Sequence, residues 1–215
     1  AEFGSCAAAQ AHVAQAGFQA ELARLRATPV VDYAGVARAK LPVLRLLHAQ
    51  FRAEQAAGST PRGRQFRAYV AERGESLRRH ALHDALDAHL RAEDDRRWGW
   101  PVWPEQYRDP AGAGVAFHAW LQWLADQQLG AAQALARELG MPIGLYGDYA
   151  VGVNPSGSET WSDQALYRKG AGVGAPPDAL ALKGQDWGIP PQDPNVLIAA
   201  QYRPFRHLLA ANMRH

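Results

Sequence analysis

The sequence predicts a mainly α-helical chain that closes on a single α/β unit. Three observations predict it. The first half is rich in Ala, Leu, Arg and Glu, with apolar residues at helical spacing. A long amphipathic stretch starting near residue 115 runs into Gly140 and then into an alternating apolar segment. Beyond a Pro- and Gly-rich stretch, helical spacing returns from Asn195 to Arg214.

The elements follow in order. Val13, Phe18, Leu22 and Leu25 fall near one helical face, and Leu44, Leu47 and Phe51 keep i, i+3, i+7 spacing. Gly58-Ser59-Thr60-Pro61 is a break. Phe66, Tyr69 and Val70 open a further helix, Gly74 interrupts it, and Leu82, Leu86 and Leu90 stripe its continuation. The segment "WGWPVWPEQYRD", Trp98 to Asp109, is a loop whose Trp98, Trp100 and Trp103 either form a binding strip or cap the helical layer. A helix is expected from Val115 to Leu139, with Phe117, Leu121, Leu124, Leu135 and Leu139 on its apolar side and Gly140 as its C-cap. "MPIGLYGDYAVGV", Met141 to Val153, alternates apolar and small residues behind Pro142 and is the expected strand. "GAPPDALALKGQDWGIPP", Gly174 to Pro191, packs four Pro, three Gly, two Asp and a Trp together and reads as a loop. Asp193-Pro194 is a helix start signal.

The chain thus divides near residue 115. Residues 1–115 form a helical layer, and residues 116–215 form one helix–strand–loop–helix unit. One isolated strand cannot make a sheet. The chain also opens on AEFGS without an initiator Met, so it is expected to be an internal piece of a longer protein.

Composition removes several function classes. The chain has 215 residues, 47% hydrophobic and 20% charged, with a formal net charge of +2. That balance lacks the basic footprint of a nucleic-acid binder. Cys6 is the single cysteine, so neither an internal disulfide nor a thiolate metal cluster is available, and a reducing, cytoplasmic setting fits. No apolar run approaches the ~20 residues of a membrane helix. Neither a Gly-rich phosphate loop nor a Gly-x-Ser-x-Gly elbow is present, and Cys6 has no His context that would make it a nucleophile.

Asp148 lies just past the apolar part of the expected strand. It is either a residue facing an active site at a strand's carboxyl end or a turn aspartate. Trp187 offers a flat face for the C–H side of a pyranose, with Asp178, Gln185 and Asp186 near it for hydroxyls. The alternative is a Trp that pins its loop to the core. His80, His83, Asp84 and Asp87 share a helical face at spacing that could ligate a metal or could be a solvated polar face.

Several of these segments carry a resemblance. "MPIGLYGDYAVGV", "SGSETWSDQALY" and "GAPPDALALKGQDWGIPPQDP" resemble the bacterial 4-α-glucanotransferases (amylomaltases or disproportionating enzymes) of glycoside hydrolase family 77, in the α-amylase superfamily. "ELARLRATPVVDY", "RRHALHDAL" and "WLQWLADQQLGAAQ" extend the similarity over nearly the whole chain. The resemblance implies a parent (β/α)8 TIM barrel with helical insertions. Residues 1–115 would be a helical insertion subdomain and residues 116–215 a portion of the catalytic barrel. It implies transfer of α-1,4-glucan segments to the 4-hydroxyl of an acceptor glucan by a retaining double displacement. That chemistry requires no cofactor and no metal. The partners it implies are maltooligosaccharides, with no nucleic acid and no membrane.

By the same resemblance, Asp148 matches a supporting aspartate at the scissile bond. Asp178, Gln185, Trp187 and Gly188 match sugar-contacting positions of a loop over the acceptor side of the groove. The stretch Ala179 to Lys183 departs from relatives that carry aromatic or polar residues there. The family's nucleophile lies in an Arg-Ile-Asp-His motif that these 215 residues do not contain, and its acid/base glutamate lies further on. On that basis these residues alone are expected to be inactive. The alternative expectation is a non-catalytic glucan-binding or scaffold fragment.

Overall fold

The computed structural model describes residues 2–55, 60–109 and 116–215. The expected break at Gly58-Ser59 and the helix start at Val115 lie outside these residues. Two compact units, Ala1–Glu72 and Arg73–His215, divide the chain. The boundary falls beside Gly74, whose φ of 53° and ψ of −133° interrupt the helix that runs through it.

In the first unit, α1 (Glu2–Ser5), α2 (Ala7–Ala14), α3 (Ala16–Ala27) and α4 (Tyr33–Gln55) pack on one another. Phe51 is buried and meets Phe66 edge to face at 5.4 Å, while Leu44 and Leu47 are half-buried beside it. The expected spacing is therefore the packed face. Val13 and Phe18 belong to two helices rather than one, because Gln15 turns the chain with an extended ψ of 137°. Cys6 is a buried free thiol between α1 and α2. Asp32 opens α4 by accepting from the Gly35 amide at 2.7 Å and pairs with Arg24 at 2.9 Å.

The second unit is built around tryptophan. Helix α5 (Pro61–Glu93) supplies Leu82 and Leu90 from its part beyond Gly74. Trp100, Trp103 and Trp161 complete the cluster. Trp100 opens the 3-10 turn Trp100–Val102 and Trp103 ends it, ahead of a second turn at Glu105–Tyr107, and both rings pack into the core cluster. Of its three tryptophans only Trp98 is exposed, at 50%. The Trp100 indole donates to Thr160 Oγ1 at 3.1 Å, and the Trp161 indole donates to the Tyr107 carbonyl at 3.0 Å. Buried indole N–H groups need such partners.

Helix α6 (Ala116–Glu138) buries Phe117, Trp120 and Trp123. Gly140 takes φ +80°, as a C-cap glycine does. The expected apolar stripe holds only for the first turns: Leu121 and Leu124 are half-buried, but Leu135 is 54% and Leu139 73% exposed. The spacing identified a face, but near its C-terminal end the helix buries Gln133 and Ala136 instead of Leu135 and Leu139.

The expected strand is a correction. Met141 to Val153 forms no strand. Among the described residues no strand lies beside it to pair with, and alternation alone cannot supply a ladder. It is held instead by single contacts. The buried Gln133 side chain of α6 donates to the Ile143 carbonyl at 3.3 Å and accepts from the Leu145 amide at 2.6 Å. Tyr149 meets Phe205 edge to face at 5.8 Å.

The strands are elsewhere. After α7 (Ser158–Ser162), β1 (Val173–Ala175) and β2 (Gln185–Ile189) pair antiparallel, inside the stretch read from sequence as a loop. This second correction has a local cause. Gly174 pairs with Asp186 and Val173 with Ile189, so Trp187 and Gly188 form a bulge between the paired positions. Gly188 supplies the φ of +63° that the bulge needs, and Pro190 and Pro191 stay outside the ladder. The chain ends in α8 (Pro194–Ala199) and α9 (Arg203–Asn212) rather than one helix. Gln201 and Tyr202 take φ of 52° and 55° and break it. The Asp193 start signal holds: its carboxylate accepts from the Asn195 amide at 2.8 Å and the Val196 amide at 3.4 Å.

Candidate functional site

The β1–β2 hairpin is the platform for the sequence-predicted residues. Trp187 is exposed on the bulge, 45% accessible. Its indole N–H donates to Gln185 Oε1 at 3.0 Å, which fixes the ring against the carboxamide two residues earlier. Trp187 is therefore no core anchor of this unit, in contrast to Trp103 and Trp161, both fully buried. A flat exposed aromatic held by a polar neighbour suits the apolar face of a sugar ring.

Asp178 has a structural task. Its Oδ1 accepts from the Leu180 amide at 2.8 Å and the Ala181 amide at 2.6 Å, closing the turn that carries the exposed Leu180 and Leu182. Asp186 Oδ1 accepts from the Gly188 amide at 2.9 Å and locks the bulge. The hairpin thus brings Gln185, Asp186, Trp187 and Gly188 together and keeps Asp178 in its connecting turn. Asp148 lies apart from it in sequence, exposed, in the irregular segment held by Gln133.

An open cavity of about 730 Å³ lies at the hairpin, within the range of small-molecule sites. Asp186 and Gly188 line it, together with Trp100, Gln164 and Lys169; Trp187 does not. Sequence reasoning missed Gln164 and Lys169, which bear no motif and reach the cavity only through the fold of the segment after α7. Tyr167 also lines the cavity, and burial raises its phenol above the usual range, partly offset by a hydrogen bond with Gln192.

The His/Asp face of α5 is half-buried and internally paired: His83 is buried, while His80, Asp84 and Asp87 are partly exposed. Among the described residues no group of three or more His, Cys, Asp or Glu could hold a metal ion. His83 is buried, 5.1 Å from the Trp103 ring and 5.6 Å from the Trp161 ring, with Nε2 3.2 Å from the Ser156 carbonyl. Asp84 meets His80 and His83 at 3.3 Å and His118 of α6 at 3.8 Å. Burial raises its carboxyl, but the His83 hydrogen bond and the surrounding imidazoles outweigh it and hold it below the usual carboxylate range. The set ties α5 to α6 and α7. Asp87 pairs with Arg91 at 2.8 Å.

Comparison with known proteins gives this architecture its class. The solved structure of the amylomaltase from Streptococcus agalactiae in complex with acarbose superimposes with a TM-score of 0.69 over 94% of this chain and 44% of that one, at 18% identity, so the chain has the fold of an amylomaltase segment. The profile of the 4-alpha-glucanotransferases of glycoside hydrolase family 77 matches residues 5–215, and the chain belongs to that family. It is 35% identical over 228 residues to the 4-alpha-glucanotransferase of Haemophilus influenzae, covering 100% of this chain and 33% of the relative. It is 43% identical over 127 residues to the enzyme of the same name from Mycobacterium tuberculosis, covering 54% of this chain and 18% of that one. The chain therefore spans about a third of the first relative's length. No helix among the described residues is long and apolar enough to cross a membrane.

Proposed function

We propose that this chain is the acceptor-side portion of a 4-α-glucanotransferase, which moves α-1,4-glucan segments onto the 4-hydroxyl of another maltooligosaccharide. The observation that carries this reading is Trp187: an exposed indole on a bulge, fixed by Gln185, in a chain of this family. A transferase must seat an acceptor and keep water from resolving its intermediate, and a flat aromatic on a rigid hairpin serves both needs.

In this reading a carboxylate attacks the anomeric carbon while an acid protonates the leaving glucan. The acceptor hydroxyl then resolves the covalent glucosyl-enzyme with overall retention. The nucleophile and acid belong to sequence motifs outside these 215 residues. Asp148 is the supporting carboxylate at the scissile bond. Trp187, Gln185 and Gly188 contact acceptor sugar, and Asp178 shapes the turn beside them. Residues 1–115 serve as a helical insertion, and residues 116–215 belong to a (β/α)8 barrel in which Met141 to Val153 would find the neighbours it lacks here. The single buried thiol fits a cytoplasmic protein.

The test is disproportionation. Incubated with maltotriose, the complete protein is expected to release glucose and build longer maltodextrins. Binding of maltodextrins without any change in their length distribution would favour the non-catalytic glucan-binding reading.

A further inference from the structure

The hairpin leaves and rejoins the protein through one neck. Leu166 to Arg168 on the way out run antiparallel to Pro191 to Asp193 on the way back, with Tyr167 bridged to Gln192. The Arg168 amide donates to the Pro191 carbonyl at 2.9 Å, and the Asp193 amide donates to the Leu166 carbonyl at 2.7 Å. The Arg168 guanidinium crosses the same neck to the Asp193 carboxylate. We infer that Arg168 and Asp193 are positioning residues of the transfer reaction: their ion pair clamps the neck and so fixes where the hairpin presents Trp187. The inference rests on the glucan reading of the protein and adds to it two residues outside the sugar-contacting set.

The fold separates what is anchored from what is presented. The outgoing side of the neck is anchored: Leu166 and Tyr167 are buried, and the Leu166 amide donates to the Asp163 carbonyl just after α7, which carries the buried Trp161. The returning side runs straight into α8. Beyond the neck the hairpin exposes Trp187, Leu180 and Leu182. Between the neck and β1 the chain passes Gly170, at a φ of +89° and with open space where a Cβ would stand. That glycine is a joint which packing does not wedge. Ile189 lies against Gly152, and Lys169 donates to Gln164 Oε1 at 3.1 Å, so the hairpin stays folded when the clamp is lost. What the clamp controls is the angle at which it stands.

Asp193 carries more than a helix cap requires. A cap needs one side-chain oxygen, and Asn or Ser serves as well. Here Oδ1 accepts from both α8 amides, and Oδ2 faces Arg168. The carboxylate is 2% accessible, whereas the Arg168 side chain is 64% accessible. Burying a carboxylate is costly unless it is paired and hydrogen-bonded. A charge kept inside the neck with its own counter-ion therefore points to a task beyond starting α8. The grip is also double. Arg168 holds Pro191 through its backbone and Asp193 through its side chain, so one residue of the anchored side fixes two positions of the returning side. Asp193 passes that hold on to α8 through its other oxygen.

The test uses the complete protein with Arg168→Met, Asp193→Asn and Arg168→Lys. Asp193→Asn keeps an oxygen for the α8 amides, and Arg168→Lys keeps the charge. Transfer exchanges one glycosidic bond for another and conserves reducing ends, whereas hydrolysis consumes a water and adds one reducing end per bond cut. Maltotriose serves as donor and labelled glucose as acceptor. Arg168→Met and Asp193→Asn are expected to raise the acceptor KM about tenfold, as displacing a group that orients a reactant does, and to raise the share of hydrolysis. At saturating acceptor the rate of maltotriose cleavage is expected to stay within about twofold. Arg168→Lys is expected to restore most of the acceptor KM. A lower melting temperature with the acceptor KM and the share of hydrolysis unmoved would make the pair merely structural and overturn the inference. Amide hydrogen exchange without sugar is the second readout. Arg168→Met is expected to speed exchange at the Arg168 and Asp193 amides and to leave the Trp161 amide unchanged. Equal exchange in wild type and both charge-removing variants overturns the inference and leaves the glucan reading standing. A wild type that transfers nothing removes the glucan reading and, with it, the acceptor role of the clamp.

Discussion

Asp148 is the residue on which the catalytic reading puts most weight. It was legible as a candidate because a carboxylate follows an apolar alternation, but the sequence left it open between an active-site role and a turn. The structure finds it exposed in an irregular segment. In the complete protein Asp148→Asn is expected to lower turnover by about 10²-fold or more, as losing a preorganised group at a reacting centre does, while the melting temperature stays put. Near-normal turnover would leave Asp148 a turn residue. A different residue is expected to add a pH dependence to stability. Burial, reinforced by Arg52 and Arg45, holds the His48 imidazole below its usual pKa. The native state therefore favours neutral His48, whereas the unfolded chain protonates it near pH 6.5. Its contribution to stability is complete above about pH 6.5 and is lost as pH falls through the depressed native value. Urea unfolding of the wild type should weaken from pH 7.5 to pH 5.5 more than that of His48→Gln; equal slopes would remove His48 from the account.

At the scale of elements, the hairpin separates two roles for tryptophan. Truncating a buried Trp such as Trp161 costs about 3–5 kcal/mol. Trp187→Ala removes an exposed ring, so it is expected to move the melting temperature by no more than about 2 °C while raising the acceptor KM about tenfold. A large loss of stability with unchanged acceptor kinetics would make Trp187 a structural residue. The same hairpin shows what a sequence can and cannot disclose. Helices were legible because Leu44, Leu47 and Phe51, or Leu82, Leu86 and Leu90, repeat at a period that packing then uses. The Asp193 cap was legible because the signal is local. The hairpin was not, since its strands are short and its Gly and Trp occupy a bulge that period-2 reasoning does not describe. The segment from Met141 failed in the opposite direction: it has the pattern of a strand but no pairing partner among the described residues. Gln164 and Lys169 were invisible because only tertiary folding brings them to Asp186.

For the whole molecule, the proposed function gives the chain the task of holding acceptor sugar. The Trp-lined unit from Arg73 to His215 gives the hairpin a rigid base: Trp100, Trp103 and Trp161 are buried together, and His83 is wedged against two of them. Such preorganisation is what transfer to a sugar, rather than to water, demands. The direct measurement is acceptor labelling. The complete protein is incubated with maltotriose and isotopically labelled glucose, and the products are separated by length. The account predicts label in maltose and longer maltodextrins, joined by α-1,4 bonds. Label confined to free glucose, whether or not maltotriose is cut, would contradict it.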